Sequence, residues 1–520
     1  MGVPKFFGYI IHTFDKIILK NLDKKIDILY FDYNCLIHPI CNSVINDDIT
    51  TNLETEMFKR IVDYTFKIID LVKPSIVYIA VDGCCPMAKI VQQRKRRFRS
   101  VVDLKYRNEI KKKFNVPYND KWSNTVISVG TDFMENLHQY LLKEFKKSKI
   151  KIIYSSYHTP HEGEHKIIHH IKKNKNESIV IYGLDADLIF LSLTLKNHNI
   201  YLLREGEQLN EKDEFLFIDI NRVKQNIFDF IVSKTNDNIE LDRIIDDFIF
   251  YCIFLGNDFL PALPLITIQN KGVEFLMNTY IDVVNKTNSY LIHSKKNKIN
   301  TVFLHEFFVI LNDNESFKQK YKNCREIEPY KKALWSLDNL KMFKINDPIK
   351  FYEKNYHERY IDYYFKNETL FQVCKNYIDG LSFIIDYYFN DKCNWAWYYK
   401  FRNSVFPYHL LKYFDMLTFN KLDDDNTIMT PFNQLLLTIP PTKKEILPKK
   451  YQTIMSENEL LFPKDYDLDM VNKEYFYECD PIIPIIDIKT INKLTRGTRF
   501  SPKEKIKNEI LEDFYFDEKK

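Results

Sequence analysis

The sequence predicts an α/β fold, with a twisted, mainly parallel sheet flanked by helices, followed by a second, mostly helical region. Three observations carry this. The apolar runs Ile26 to Asp32, Ser75 to Asp82 and Ile179 to Leu184 each read as a buried strand, and each ends at or just before an aspartate. The first two are joined by Leu53 to Leu71, whose apolar residues recur at helical spacing and stop before Pro74, giving a βαβ unit. From Val273 onward, charged and turn-rich segments alternate with helical patterns, most clearly over Cys374 to Phe414.

With 520 residues, 45% hydrophobic and 28% charged, the chain has the composition of a soluble globular protein of two or more domains. A net charge of +4 is small for this length, so the distribution of charge matters more than its sum. The nine cysteines contain no CxxC, which argues against a disulfide framework or a thiolate zinc site and favours a reducing compartment. The start of the chain lacks the basic-then-apolar layout of a signal peptide, and Phe6 stands where a myristoylation signal has Ser or Thr. No uninterrupted apolar run reaches membrane-spanning length, so no membrane segment is expected.

Taken in order, the first strand ends at Asp32, with Asn34 and His38 at the start of a helix. The second ends at Asp82-Gly83. Pro86 then opens a segment without a breaker until Pro117, in which Lys89, Gln93, Arg96 and Arg97 share one helical face at i, i+4, i+7 and i+8. Such a face suits a phosphate, the alternative being a solvated basic surface. His161-Glu162-Gly163-Glu164-His165 matches the HExxH pattern of zinc peptidases, but the glycine and the position at a first turn favour Glu162 and Glu164 as two further carboxylates. Asp185 and Asp187 lie at the carboxyl end of the third strand, where ligands bind in open α/β sheets, or else they cap the next helix. Asp258 follows an apolar run from Phe248. Glycine is scarce, at eleven, yet Gly83, Gly163, Gly183 and Gly256 each lie within two residues of a carboxylate. Beyond Pro440-Pro441 the Lys443 to Lys450 stretch reads as an exposed connection, and the charged tail after Arg496 as helical or frayed.

Seven acids gathered at strand ends and turns require cations, and ligands that are all oxygen select Mg²⁺ or Mn²⁺. Two such ions about 4 Å apart cleave phosphodiesters in line. The residues alone thus point to a metal-dependent nuclease or phosphatase.

Several stretches also resemble the Xrn family of 5′→3′ exoribonucleases. They are Met1-Gly-Val-Pro-Lys-Phe-Phe7, Phe31-Asp-Tyr-Asn-Cys-Leu-Ile-His38, Ala80 to Ser100, Gly163-Glu-His-Lys166, Ile181 to Ile189 and Gly256-Asn-Asp-Phe-Leu-Pro261. Tyr377-Ile-Asp-Gly-Leu381, Trp395 to Tyr399 and Pro431-Phe-Asn-Gln-Leu435 extend the likeness into the second region. The resemblance implies a PIN-like, flap-endonuclease-related core over 1–270, a helical connection over 271–370, a second region over 371–490 packed on the core, and a charged tail over 491–520. It implies that Asp32, Asp82, Glu162, Glu164, Asp185, Asp187 and Asp258 hold two Mg²⁺ ions, with Mn²⁺ able to substitute. Lys89, Gln93, Arg96 and Arg97 would bind the 5′-monophosphate of single-stranded RNA. His38 would stack on the first base, with Trp397 opposite it and Trp395 and Phe383 as other candidates. A monomer acting in mRNA decay in the cytoplasm, or alternatively the nucleus, is expected. His161 stands where the family has glycine, and Cys84-Cys85 and Met87 vary the loop before the basic helix, but no charged site residue is lost. The long extension of the large family members is not expected, nor the partners it recruits, and the Lys/Asn/Ile-rich usage suggests a compact viral or protist homologue. A DNA flap nuclease and an RNA-binding scaffold without catalysis are the competing readings.

Overall fold

A computed structural model describes residues 5–517 apart from 48–51, 118–121, 175–177, 184–185, 197, 207–213, 236–238, 294–296, 314–327 and 423–424. The short helix α1 (Phe6–Thr13) leads to strands β1 (Ile18–Leu19) and β2 (Ile28–Asp32). Helices α2 (Asn34–Asn46) and α3 (Leu53–Val72) precede β3 (Ile76–Ala80), and the long α4 (Met87–Lys113) and α5 (Asp132–Phe145) precede β4 (Lys151–Ser155). Then come α6 (Gly163–Lys173), β5 (Ser178–Tyr182), α7 (Asp187–Leu193), β6 (Asn199–Glu205), β7 (Phe215–Asp219), α8 (Ile220–Val232) and α9 (Leu241–Cys252).

One sheet runs in the order β1-β7-β6-β5-β2-β3-β4 and is completed by the strand Phe514–Phe516. β6, β5, β2, β3 and β4 are mutually parallel, β7 and Phe514–Phe516 run antiparallel to them, and β1 pairs antiparallel with β7 at the edge. Every residue of β2 is buried, as expected for a central parallel strand covered on both faces. Its alternation divides the core: Ile28 and Tyr30 join the apolar cluster under α6 to α9, and Leu29 and Phe31 the one under α2, α3 and α5. The chain moves outward from β2 through β3 to β4 and then returns to place β5 on the other side of β2. That reversal opens a crevice at the carboxyl ends of β2, β3 and β5.

The second region is helical: α10 (Gly272–Thr287), α11 (Thr301–Asp313), α12 (Pro329–Asp338), α13 (Tyr356–Phe365), α14 (Leu370–Phe389), α15 (Pro407–Tyr413) and α16 (Pro431–Thr438). It packs on the sheet layer through α14 and on α4 through α16, where Met87, Ile90 and Val91 share a cluster with Phe432, Leu435 and Leu436. Within α14, Gly380 lets neighbours close in, since a Cβ there would lie 2.5 Å from Leu260 Cδ2 and 2.9 Å from Trp397 Cη2. No helix among the described residues is long and apolar enough to cross a membrane.

The tail after Arg496 is helical over Pro502–Lys507, as expected, but it ends in a strand. Phe514, Tyr515 and Phe516 pair with Tyr154, Ile153 and Ile152, so the end of the chain covers the edge of the sheet that β4 would otherwise expose. The third strand ends at Tyr182, two residues earlier than the apolar run, because Gly183 turns out of the sheet. A Cβ on Gly183 would lie 2.1 Å from Leu188 Cδ1.

Candidate active site

The helix after Asp82 starts where Pro86 supplies an extended cap residue, at φ −65° and ψ 157°. With no proline or glycine inside α4, Lys89, Gln93, Arg96 and Arg97 fall on one face. That face forms one wall of a cavity of about 550 Å³, whose floor is Asp32, Asp82, Glu162 and Glu164 and whose mouth includes His38. Sequence reasoning placed these nine residues together, and the fold does so. Asn124, Thr125 and Ser128, before α5, form the facing wall, and Gln434 from α16 closes one side.

Glycine at 163 is what allows the acids to approach. A Cβ there would sit 2.8 Å from Asp32 Oδ1 and 3.4 Å from Asp82 Oδ1, and the Gly163 N–H donates to Asp82 Oδ1 at 2.8 Å. Asn34, two residues after Asp32, donates its amide to Asp82 Oδ2 at 2.9 Å, and the Cys35 thiol donates to Asp32 Oδ2 at 3.0 Å. These two orienting contacts were missed, although their closeness in sequence to Asp32 was the available signal.

Lys89 is buried, with its ammonium nitrogen 2.6 Å from Glu162 Oε1 and 2.6 Å from Asp258 Oδ2. Burial opposes its charge, but Asp258, Glu162, Glu164 and Asp187 hold the ammonium well above the usual lysine range. Burial also keeps the Glu162 carboxyl above its ordinary value against the pull of Lys89, with Asp82 adding to the rise. Asp258 goes the other way: against burial, Lys89 and Arg96 hold it well below the carboxylate range. The Tyr387 hydroxyl lies 3.5 Å from Glu162 Oε2, which brings α14 to the site.

Asp187 is buried and the Asp258 side chain is 5% exposed, but neither lines the cavity; they reach it through the field on Lys89. Asp187 occupies the first turn of α7, while the cap position is Ala186 and makes no side-chain cap bond. Asp185 lies outside the described residues. Among the described residues no three His, Cys, Asp or Glu side chains are gathered so as to hold a metal by themselves, and the Lys89 ammonium balances two of the acids instead.

One expectation needs correction, and the alternative already disfavoured falls away. Trp397, expected opposite His38, does not line the cavity; its ring stacks on Phe383 with centroids 4.7 Å apart, over the gap that Gly380 leaves. Trp395 packs on His161 at 4.8 Å and Phe383 is 1% exposed, so neither other candidate takes that place. The HExxH alternative loses its basis because α6 begins at Gly163, leaving His161 outside the helix at φ 82°. Burial pushes the His161 imidazole down to about 4 and holds His165 well below the usual range.

Fold and site define an α/β protein with a buried acidic floor faced by the cations of one helix. Residues 1–206 match the XRN 5′-3′ exonuclease N-terminus, and residues 238–343 and 312–520 match the Xrn1 helical domain, so the chain belongs to the Xrn family. It is 27% identical to human 5′-3′ exoribonuclease 1, over 94% of this chain and 34% of that protein. The Saccharomyces cerevisiae 5′-3′ exoribonuclease 1 is 26% identical, over 99% of this chain and 44% of its own length. The Arabidopsis thaliana 5′-3′ exoribonuclease 2 is 25% identical, over 94% and 66%. The chain therefore spans from about a third to two thirds of the length of these curated relatives. A solved structure, the catalytic core of Rad2 in complex with DNA substrate, aligns with a TM-score of 0.32 at 14% identity over 70% of this chain and 85% of its own, a likeness too slight to bear on function.

Proposed function

We propose that the chain is a Mg²⁺-dependent 5′→3′ exoribonuclease that hydrolyses single-stranded RNA carrying a 5′-monophosphate, releases nucleoside 5′-monophosphates and takes part in RNA decay in the cytoplasm. The observation that carries this reading is that a single cavity holds four of the acids, Asp32, Asp82, Glu162 and Glu164, and the cationic face of α4. Lys89, Gln93, Arg96 and Arg97 take the terminal phosphate, with the guanidinium groups able to bond two of its oxygens at once. His38, at the mouth, presents a ring to the first base. Asp32, Asp82, Glu162, Glu164, Asp185, Asp187 and Asp258 would hold the metal. In its chemistry the donor set fits a hard divalent ion: all are carboxylates, those among the described residues are largely buried, and two of them already draw a buried ammonium. When bound, a pair of Mg²⁺ ions supplies an activated water and charge balance on the leaving oxygen. Asn34 and Cys35 keep Asp82 and Asp32 turned toward the cavity.

The decisive experiment is time-resolved digestion of one RNA bearing a 5′-phosphate, a 5′-hydroxyl or a cap, alongside a DNA of the same sequence. Rapid loss of the 5′-phosphorylated RNA alone is expected, and equal rates on the three RNA ends would remove the role assigned to the α4 face. Asp187→Ala should stop nucleotide release while 5′-phosphorylated RNA still binds, because it removes an acid and no phosphate contact.

A further inference from the structure

The connection from β4 to α6, residues 156–162, carries Glu162 at its end and sets the start of the helix that bears Glu164. On its inner side it is stitched to the connection after β3. The Gly83 N–H donates to His161 O at 2.9 Å, the His161 N–H donates to Cys84 O at 2.6 Å, and the Lys166 ammonium donates to Val81 O and Ser156 O. A Cβ on Gly83 would lie 1.9 Å from Thr159 O, so the two connections touch backbone to backbone. His161 holds φ 82°, a left-handed conformation that a non-glycine residue keeps only when its surroundings enforce it.

The outer side of the same connection is held by the end of the chain. His158 is 2% exposed and both its ring nitrogens are engaged: Nδ1 lies 2.9 Å from Glu509 O and Nε2 lies 3.2 Å from Glu135 Oε2. The Leu511 N–H donates to His158 O at 3.2 Å, and the Tyr157 hydroxyl donates to Glu135 Oε2 at 2.6 Å. The segment around Glu509 is itself fastened at several points. Lys507 pairs with Asp132 at 2.8 Å, Asn508 accepts from the Phe432 N–H at 2.8 Å, and Asp513 accepts from the Tyr78 hydroxyl at 3.1 Å. Pairing of Phe514–Phe516 with β4 completes the attachment.

We propose that His158 is a positioning residue for the acidic site. By joining the segment 507–516 to the Glu135 carboxylate, it fixes the connection that sets Glu162 and Glu164 against Asp32 and Asp82. The segment 507–516, which does not line the cavity, thereby sets the spacing of the acids. The α4 face that meets the phosphate takes no part in this linkage. The inference rests on the metal-nuclease reading above, and its test separates the two.

Mn²⁺ binding, followed by electron paramagnetic resonance without RNA, and kcat and KM on 5′-phosphorylated RNA are to be measured for the intact chain, for His158→Phe, for His158→Asn, and for the chain cut before Glu509. In His158→Phe and in the shortened chain, the Mn²⁺ dissociation constant should rise, and kcat fall, by about tenfold or more, the usual effect of losing a residue that orients metal-holding groups. KM should stay within about twofold, since the phosphate contacts are unchanged. His158→Asn, whose amide N–H reaches toward Glu509 O, should recover part of both losses. A role in stability alone would lower the folded fraction and leave the Mn²⁺ affinity of the folded protein unmoved; that result in His158→Phe overturns the proposal, as does wild-type behaviour of the shortened chain. An intact chain that binds no Mn²⁺ overturns the metal reading and this inference together.

Discussion

At Lys89 a single residue serves two needs. Its ammonium neutralises Glu162 and Asp258, and on the proposed function the same charge, which lines the cavity, also meets the terminal phosphate. Removing one member of a buried charge cluster leaves the others uncompensated, a loss of about 3 to 5 kcal/mol. Lys89→Met should therefore lower stability by that order in urea unfolding, and millimolar Mg²⁺ should restore much of it by supplying the missing positive charge. Histidines give a second prediction. Burial pushes His138 and His409 down from 6.5 to about 4, so the unfolded chain binds protons between those values that the folded chain refuses. Their contribution is complete above pH 6.5 and is lost as the pH falls through about 4. The melting temperature should drop on going from pH 7 toward 4, with each residue accounting for roughly 3 kcal/mol at the acid end. A flat profile across that range would contradict the burial of these rings.

Helix α4 is the element on which most of the molecule depends. One face presents Arg96, which is exposed, to the cavity; another buries Arg94, whose guanidinium donates to Leu437 O and Leu461 O at 2.6 Å each. Two arginines two positions apart should thus behave in opposite ways. Arg96→Glu should leave the melting temperature nearly unchanged but abolish the preference for a 5′-phosphate over a 5′-hydroxyl in competition digests. Arg94→Leu should cost about 2 kcal/mol or more, because a buried and a part-buried carbonyl lose their donor, and the phosphate preference of the folded fraction should survive. Much of this element was legible in the sequence. A proline start, an unbroken run and a basic i, i+4, i+7, i+8 pattern are local signals, as are the acids that terminate apolar runs. What the sequence did not disclose depends on distance along the chain. The facing wall of Asn124, Thr125 and Ser128 consists of small polar residues that any loop contains. The pairing of Lys89 with Asp258 spans 169 positions, and the strand Phe514–Phe516, three residues in a charged tail, has no pattern of its own until β4 supplies its partner. Trp397 was misplaced for a related reason: an aromatic beside a glycine on a neighbouring helix can stack inward as readily as outward, and only the packing of Gly380 decides.

For the whole molecule, the second region is a structural part of the site and not an attachment to it. Phe432 and Leu435 cover the apolar side of α4, Tyr387 reaches Glu162, and Phe259 packs edge-on against Tyr387 at 4.9 Å. Residues 1–270 expressed alone should aggregate, exposing Met87, Ile90 and Val91, and co-expression of 271–520 should return them to soluble form. A monodisperse, cooperatively unfolding 1–270 would show that this interface is dispensable. The contacts of Arg94 have a bearing on how the protein is born. While a ribosome is still making the chain and has not reached Leu437 and Leu461, α4 lacks the carbonyls that seat it, and β4 still waits for its outer neighbour. The cavity wall formed by α4 is therefore seated only after residues lying 343 and 367 positions beyond Arg94 have been made, so the helix waits on late-made chain for its partners.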